Sequence, residues 1–261
     1  LTTKGRLNAK FIVSPQQSDK RSDGLTTIIL LSENVGHRMK SYGSISLLSV
    51  GNRTILEHQI DAIKSRFINY EIILCGGFDI DRLVKFVYNK YRTDNIRVVE
   101  NQMYQHSNGC ESVRLCLNNT TNNRILICNG ELMLTSSCLS SLDLSCSHVL
   151  IEKKHVSNLE IGVTITPEGF AETFCYGVNH KWSEVVFLHQ PDIIDSLRKI
   201  ISTPDYKTKF VFEALNDLGR MTKYKLKTVE NQSTMVKVDN VKTYHQIRKN
   251  YEGTNTKLRR G

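Results

Sequence analysis

The chain has 261 residues, 39 % of them hydrophobic and 23 % charged, with a net charge of +9. That length suffices for one large α/β domain with a full core, and the composition excludes a disordered chain. No stretch approaches the roughly 18 apolar residues of a membrane span, and Leu1-Thr-Thr-Lys-Gly-Arg lacks the apolar region of a secretory signal.

Residues 1–25 read as a basic, polar N-terminal extension. A strand is expected over 26–31. A helix follows from Thr54, its N-cap, with Ile55, Ile60, Ile63 and Phe67 on one face. Further strands are expected over 71–75, 96–100 and 124–128, alternating with helices over 80–91 and 111–117. Four strands alternating with helices imply a three-layer α/β/α domain with a mixed, mainly parallel sheet. Beyond Thr135 the pattern changes to strands over 149–151, 161–165 and 185–188, helices over 191–201 and 209–218, and strands over 223–229 and 234–238. These read as antiparallel additions to the same sheet. Asn240 caps a last helix ending near 249, so the α/β domain spans 26–249 and a basic tail covers 250–261.

Seven cysteines occur, none in CxxC spacing. They read as reduced thiols, several of them small core residues, which places the chain in the cytoplasm or another reducing compartment. The positive charge gathers at the ends. Residues 1–24 carry five Lys or Arg against two Asp, and residues 248–261 carry five against one Glu. Two readings stand side by side: solvated tails, or arms that dock on an acidic protein or nucleic-acid partner within a larger assembly. Few aromatics interleave with these charges, so a dedicated nucleic-acid reader is weakly supported.

After the first strand comes the loop Leu31-Ser-Glu-Asn-Val-Gly-His-Arg-Met39, then Leu47-Leu-Ser-Val-Gly-Asn-Arg-Thr-Ile-Leu-Glu-His-Gln-Ile60. Further on stand Asn101-Gln-Met-Tyr-Gln-His-Ser-Asn108-Gly-Cys-Glu-Ser112, Ile127-Cys-Asn-Gly130-Glu131, Asn216-Asp-Leu and Val236-Lys-Val-Asp239-Asn. Each is a soft motif. Their order over about residues 26–249 resembles the sugar-phosphate and phosphocholine nucleotidyltransferases, whose fold is of the nucleotide-diphospho-sugar transferase type. The resemblance implies transfer of a nucleotidyl group from CTP or another NTP to a sugar phosphate or choline-like phosphate, with release of pyrophosphate. It implies that Gly36 and Arg38 hold phosphate, that Asn108 and Ser112 contact substrate, and that Glu131 and Asp239 hold Mg²⁺. In such chemistry positioning and charge neutralisation supply most of the catalysis.

The sequence also departs from that family. The family loop typically reads Ala-Ala-Gly-x-Gly-x-Arg; here Asn34 stands for the first Gly and Glu33 for the small residue before it. The family's Pro-Lys falls at Ile45-Ser46, so its Lys is Ser46. Glu131 stands for an Asp. Glu33 is expected to point a negative charge where phosphates would sit, and two unit charges thus shift against a triphosphate. Taken alone, Arg38 reads equally as a surface residue, Glu131 and Asp239 as turn or cap residues, and Asn108 and Ser112 as helix caps. A catalytically inactive descendant, serving as a structural or binding subunit through its basic ends, is therefore the rival reading. A glycosyltransferase of related fold is disfavoured, because Asp79-Ile-Asp81 opens a helix instead of ending a strand.

Overall fold

The computed structural model describes residues 24–154, 156, 160–231 and 233–258, with side chains as far as Tyr251. The basic stretch 1–23 and the side chains beyond Tyr251 lie outside it, so the proposed docking arms rest on the sequence.

Strand β1 (Thr26–Ser32) leads into a loop, two single-turn 3-10 helices (Lys40–Tyr42 and Ile45–Leu47) and a small hairpin, β2 (Ser49–Val50) and β3 (Arg53–Thr54). Next come α1 (Ile55–Arg66), β4 (Tyr70–Gly76), α2 (Ile80–Lys90), β5 (Ile96–Glu100), α3 (Gly109–Leu117) and β6 (Arg124–Asn129). Short β7 (Leu132–Met133) and α4 (Ser136–Ser140) precede β8 (His148–Glu152), β9 (Gly162–Ile165), β10 (Ala171–Cys175) and β11 (Lys181–His189). The chain ends with α5 (Pro191–Ile201), α6 (Val211–Met221), β12 (Lys227–Glu230), β13 (Val236–Lys237) and α7 (Val241–Leu258).

One sheet runs in the order β10-β9-β11-β6-β1-β4-β5, with β8 pairing β11 and β12 beside it. The contacts β6–β1, β1–β4 and β4–β5 are parallel, as the alternating pattern predicts. Strand β11 enters antiparallel to β6 and to β8, and β9 pairs antiparallel with β10, as expected of the additions. Two additions differ: β12 pairs parallel with β8, and β13 joins β7 in a separate two-stranded sheet. All seven residues of β1 are buried, as a central strand covered on both faces requires. Its side chains alternate between two cores. Ile29 and Leu31 pack with residues of α3, α5 and α6, whereas Ile28 and Leu30 pack with those of α1, α2 and α4. The result is the expected three-layer α/β/α arrangement.

Thr54 caps α1 as expected. Its hydroxyl accepts from the Glu57 N–H at 3.2 Å, while the Glu57 carboxylate accepts from the Thr54 N–H at 2.7 Å. Three further expectations shift. Strand β10 is an unanticipated partner of β9, β12 begins at Lys227 rather than 223, and α7 runs on to Leu258. The last shift has a packing cause. Tyr244 and Ile247 are buried with Met39, Ile45, Leu48, Val50 and Val238 in a third small core, and Tyr251 packs beside it. The spacing 244, 247, 251 keeps one helical face on the loop that follows β1. No helix among the described residues is long and apolar enough to cross a membrane.

Candidate active-site cleft

A cleft of about 600 Å³ opens over the carboxyl ends of β1 and β6, where open α/β sheets bind ligands. Leu31, Glu33 and Asn34 line it from the end of β1, and Ile127 and Asn129 line it from β6. Trp182, Glu184 and Val186 come from β11, and Lys237 and Asp239 from the segment before α7. The amino ends of α3 and α6 add Asn108 and Phe210.

The loop after β1 is held from both sides. The His37 N–H donates to the Asp239 carbonyl at 2.8 Å, and the Phe78 N–H donates to the Glu33 carbonyl at 3.1 Å. Gly36 is needed here for close packing. A Cβ on it would lie 2.7 Å from the Ile45 side chain and 3.0 Å from the Asp239 carbonyl oxygen. Arg38 is exposed, adopts a positive φ of 57°, and is not part of the cleft lining. Gly36 likewise stays outside the lining. Of the two residues expected to cradle phosphate, neither faces the cleft.

Glu33 does not project as a free charge. It is only 2 % exposed, although it borders the cleft. Burial pushes its carboxyl above the usual carboxylate range, against hydrogen bonds from its own backbone and from Ser112 and against the charge of Lys237. Ser112, expected to contact substrate, is 0 % exposed. Its oxygen accepts from the Asn101 amide at 3.0 Å, so it is committed to the interior. Ser46, at the family's Lys position, is also buried, and its hydroxyl donates to the Gly130 carbonyl at 3.2 Å. A lysine there would point into the protein. Asn108 does reach the cleft. It occupies the N-cap position of α3, yet its side chain donates to the Thr208 carbonyl instead of capping the helix.

Glu131 and Asp239, far apart in sequence, are brought together. Strands β13 and β7 pair, and the Val238 N–H donates to the Glu131 carbonyl at 2.9 Å. Asp239 is exposed, and its carboxylate accepts from the Asn240 amide at 2.6 Å. Glu131 is buried, and burial pushes its carboxyl up to about 7; Lys237 opposes that rise, while Glu184, Glu33 and Asp239 add to it.

Lys237, which sequence reasoning missed, stands among these acids. Its ammonium lies 2.9 and 3.0 Å from the two oxygens of Glu184 and 3.9 Å from Glu131. Burial works against its charge, but Glu184, Glu131 and Asp239 outweigh it and hold its pKa above the ordinary lysine value. Glu131 and Lys237 therefore respond unequally to their shared contact. Glu184 carries most of the pairing with the ammonium, and burial dominates at Glu131. Glu184 itself sits at a φ of 55°, where the register of β11 shifts between Trp182 and Val186, and it also accepts from the Asn129 amide at 2.7 Å.

The Mg²⁺ that the resemblance implies does not fit these residues as they are placed. The Lys237 ammonium already stands 3.9 Å from Glu131, and Glu184 holds it on both oxygens.

The remaining cleft lysines are also paired. Lys181 lies 2.6 Å from Glu160, and Lys154 lies 3.9 Å from it. An aromatic wall borders this side, with Phe210 and Phe212 stacked at 5.8 Å and Tyr176 edge-on to Phe212 at 6.3 Å. Two signals in the sequence point to this second set: the lone Glu184 inside an apolar strand, and Lys237 two residues before Asp239 on the same strand face.

No family model matches the chain, and no curated protein matches it. Solved structures do. The CTP:phosphocholine cytidylyltransferase from Streptococcus pneumoniae superposes with a TM-score of 0.67 at 16 % identity, over 86 % of this chain and 98 % of that one. The inositol-1-phosphate CTP transferase from T. maritima gives 0.67 at 15 % identity, over 87 % and 96 %. A UDP-glucose pyrophosphorylase complexed with UDP-glucose gives 0.65 at 11 % identity, over 88 % and 100 %. The chain has a nucleotidyltransferase-like fold, with a mixed, mainly parallel sheet between helical layers.

Proposed function

We propose that this chain is a nucleotidyltransferase-fold protein that no longer carries out nucleotidyl transfer and keeps its cleft for binding. The observation that supports this most directly is the pairing of its cleft lysines. Lys237 is engaged by Glu184, and Lys181 and Lys154 by Glu160. A leaving pyrophosphate would meet carboxylates whose counter-charges are already committed, whereas phosphoryl-type chemistry depends on cations free to follow developing negative charge. Arg38, exposed and outside the cleft lining, leaves that deficit of free positive charge in place. What the cleft offers is an aromatic wall facing polar and acidic groups, a combination suited to a base, a sugar ring or an amine head group.

A pyrophosphate-release assay tests this reading. The full chain is supplied with each Mg-NTP, with phosphocholine and with a panel of sugar phosphates. The expected result is no release above the protein-free rate, and calorimetry is expected to show no saturable NTP binding at micromolar concentration. Acceptor-dependent release of pyrophosphate would sink the proposal.

A second reading, an active Mg²⁺-dependent transferase acting from CTP or another NTP on a sugar phosphate or choline-like phosphate, is favoured by one observation. Glu131 and Asp239 converge beside the cleft from distant parts of the chain. The same assay separates the two.

A further inference from the structure

The side chain of Lys237 is 32 % exposed at the edge of the cleft, and that of Glu131 only 6 %. Both oxygens of Glu184 lie within 3.0 Å of the ammonium, the nearer Glu131 oxygen lies at 3.9 Å, and Asp239 and Glu33 also feel its charge. Two carboxyl groups, those of Glu184 and Glu131, thus share one tethered cation. A divalent ion bridging Glu131 and Asp239 would need ligand oxygens at roughly 2.0–2.1 Å. It would then sit beside an ammonium that Glu184 holds in place, and the repulsion would act in a partly dry site, where screening is weak.

We infer that the Lys237 ammonium takes the place of a divalent cation in this cleft, so that the chain balances its carboxylates with a tethered charge and excludes Mg²⁺ and Mn²⁺. This rests on the reading that nucleotidyl transfer has been lost and supplies its physical cause. Three features separate it from an ordinary surface ion pair. The lysine lies on a strand that pairs next to Glu131, so the backbone fixes its approach. Glu184 reaches it from a left-handed backbone position that few non-glycine residues adopt. Asn129 braces the arrangement from within, since its amide donates to Glu184 at 2.7 Å and its side-chain oxygen accepts from the Glu131 N–H at 2.8 Å.

Mn²⁺ titration followed by electron paramagnetic resonance tests this without any turnover, because bound Mn²⁺ loses the signal of the free ion. Wild type is expected to leave the free-ion signal intact. Lys237→Met is expected to bind Mn²⁺ at least about tenfold more tightly than wild type, since the two carboxyl groups lose their internal counter-ion. Adding Glu131→Gln to that variant should remove the gain. Lys237→Gln, which still offers an amide to Glu184, serves as the second variant should the Met variant fold poorly, and the same gain is expected. Wild type binding Mn²⁺ as tightly as the Lys237 variants overturns the inference, as does a gain that survives Glu131→Gln. The two proposals fail separately. A wild type that binds Mn²⁺ yet releases no pyrophosphate refutes the tethered cation and leaves the loss of transfer standing. Pyrophosphate release undiminished by a chelator refutes the loss of transfer and leaves the tethered cation standing.

Discussion

Glu131 is the residue where burial and charge compete most openly. Its carboxyl is raised to about 7 from an ordinary value of 4.5, with burial as the leading cause. The folded protein therefore holds a proton that the unfolded chain has already released. The associated stability is present in full below the unfolded value near 4.5 and is lost as pH rises through about 7. At one pKa unit per 1.36 kcal/mol, the swing is on the order of 3 kcal/mol. Glu131→Gln, uncharged at every pH, should raise the thermal midpoint relative to wild type at pH 8, with the difference shrinking towards pH 4.5. A midpoint difference that is constant across that range would show that Glu131 does not titrate as described. Its neighbour Gly130 is constrained by space. A Cβ there would stand 2.0 Å from the Ser32 hydroxyl and 2.6 Å from the Leu31 carbonyl oxygen. Gly130→Ala should cost about 1–3 kcal/mol by overpacking, read as a lower denaturant midpoint. It should also disturb the Leu31 carbonyl, which accepts from the Gly130 N–H at 2.7 Å.

Among the elements, α7 has the clearest link to the cleft. Its Tyr244 is buried in the third core, and its hydroxyl donates to the Ser49 carbonyl at 3.0 Å. That core also holds Met39, Ile45 and Leu48, so α7 fixes the loop that carries Gly36 and Glu33. Tyr244→Ala should cost about 3–5 kcal/mol, whereas Tyr244→Phe, which removes only the hydrogen bond, should cost about 1 kcal/mol. Hydrogen exchange should locate the loosening at residues 36–50. Equal protection there in the Ala variant and wild type would contradict the clamp.

The parallel strands and α1 were legible in the sequence because their signals are local: a continuous apolar run at 26–31, and Thr54 before a 3.6-residue pattern. The partner roles of Tyr244 and Tyr251 were not, because what they cover lies almost 200 residues away. The same holds at the cleft. Glu131 and Asp239 could be paired from the order of motifs. Lys237 and Glu184 could not, since their contact depends on β13 meeting β7 and on a register shift in β11. Sequence spacing also cannot say which way a loop residue faces. That is why Glu33 reads as a free charge in the sequence and is buried in the fold.

At the scale of the whole molecule, charge and core occupy different parts of the chain. The sheet and its flanking helices begin at Thr26, while residues 1–23 hold five Lys or Arg against two Asp. The C-terminal boundary is less simple. Tyr251 packs on His58 with ring centroids 5.2 Å apart, and its ring fills the space over Gly51. A cut at 248 would remove part of the body, so a truncation that probes charge alone should spare Tyr251. The informative variant therefore begins at Gly24 and leaves the C-terminus intact. Its thermal midpoint is expected to stay within about 2 °C of wild type, the shift that a change of under 1 kcal/mol gives a domain of this size. If residues 1–23 act as an arm for an acidic partner, the variant should leave a heparin column at clearly lower salt, because attraction to a polyanion is set by accessible, clustered charge and is screened by added ions. Unchanged elution with an unchanged midpoint would mark the stretch as a solvated tail. A large drop in the midpoint would instead place part of it in the folded body and move the domain boundary towards the N-terminus.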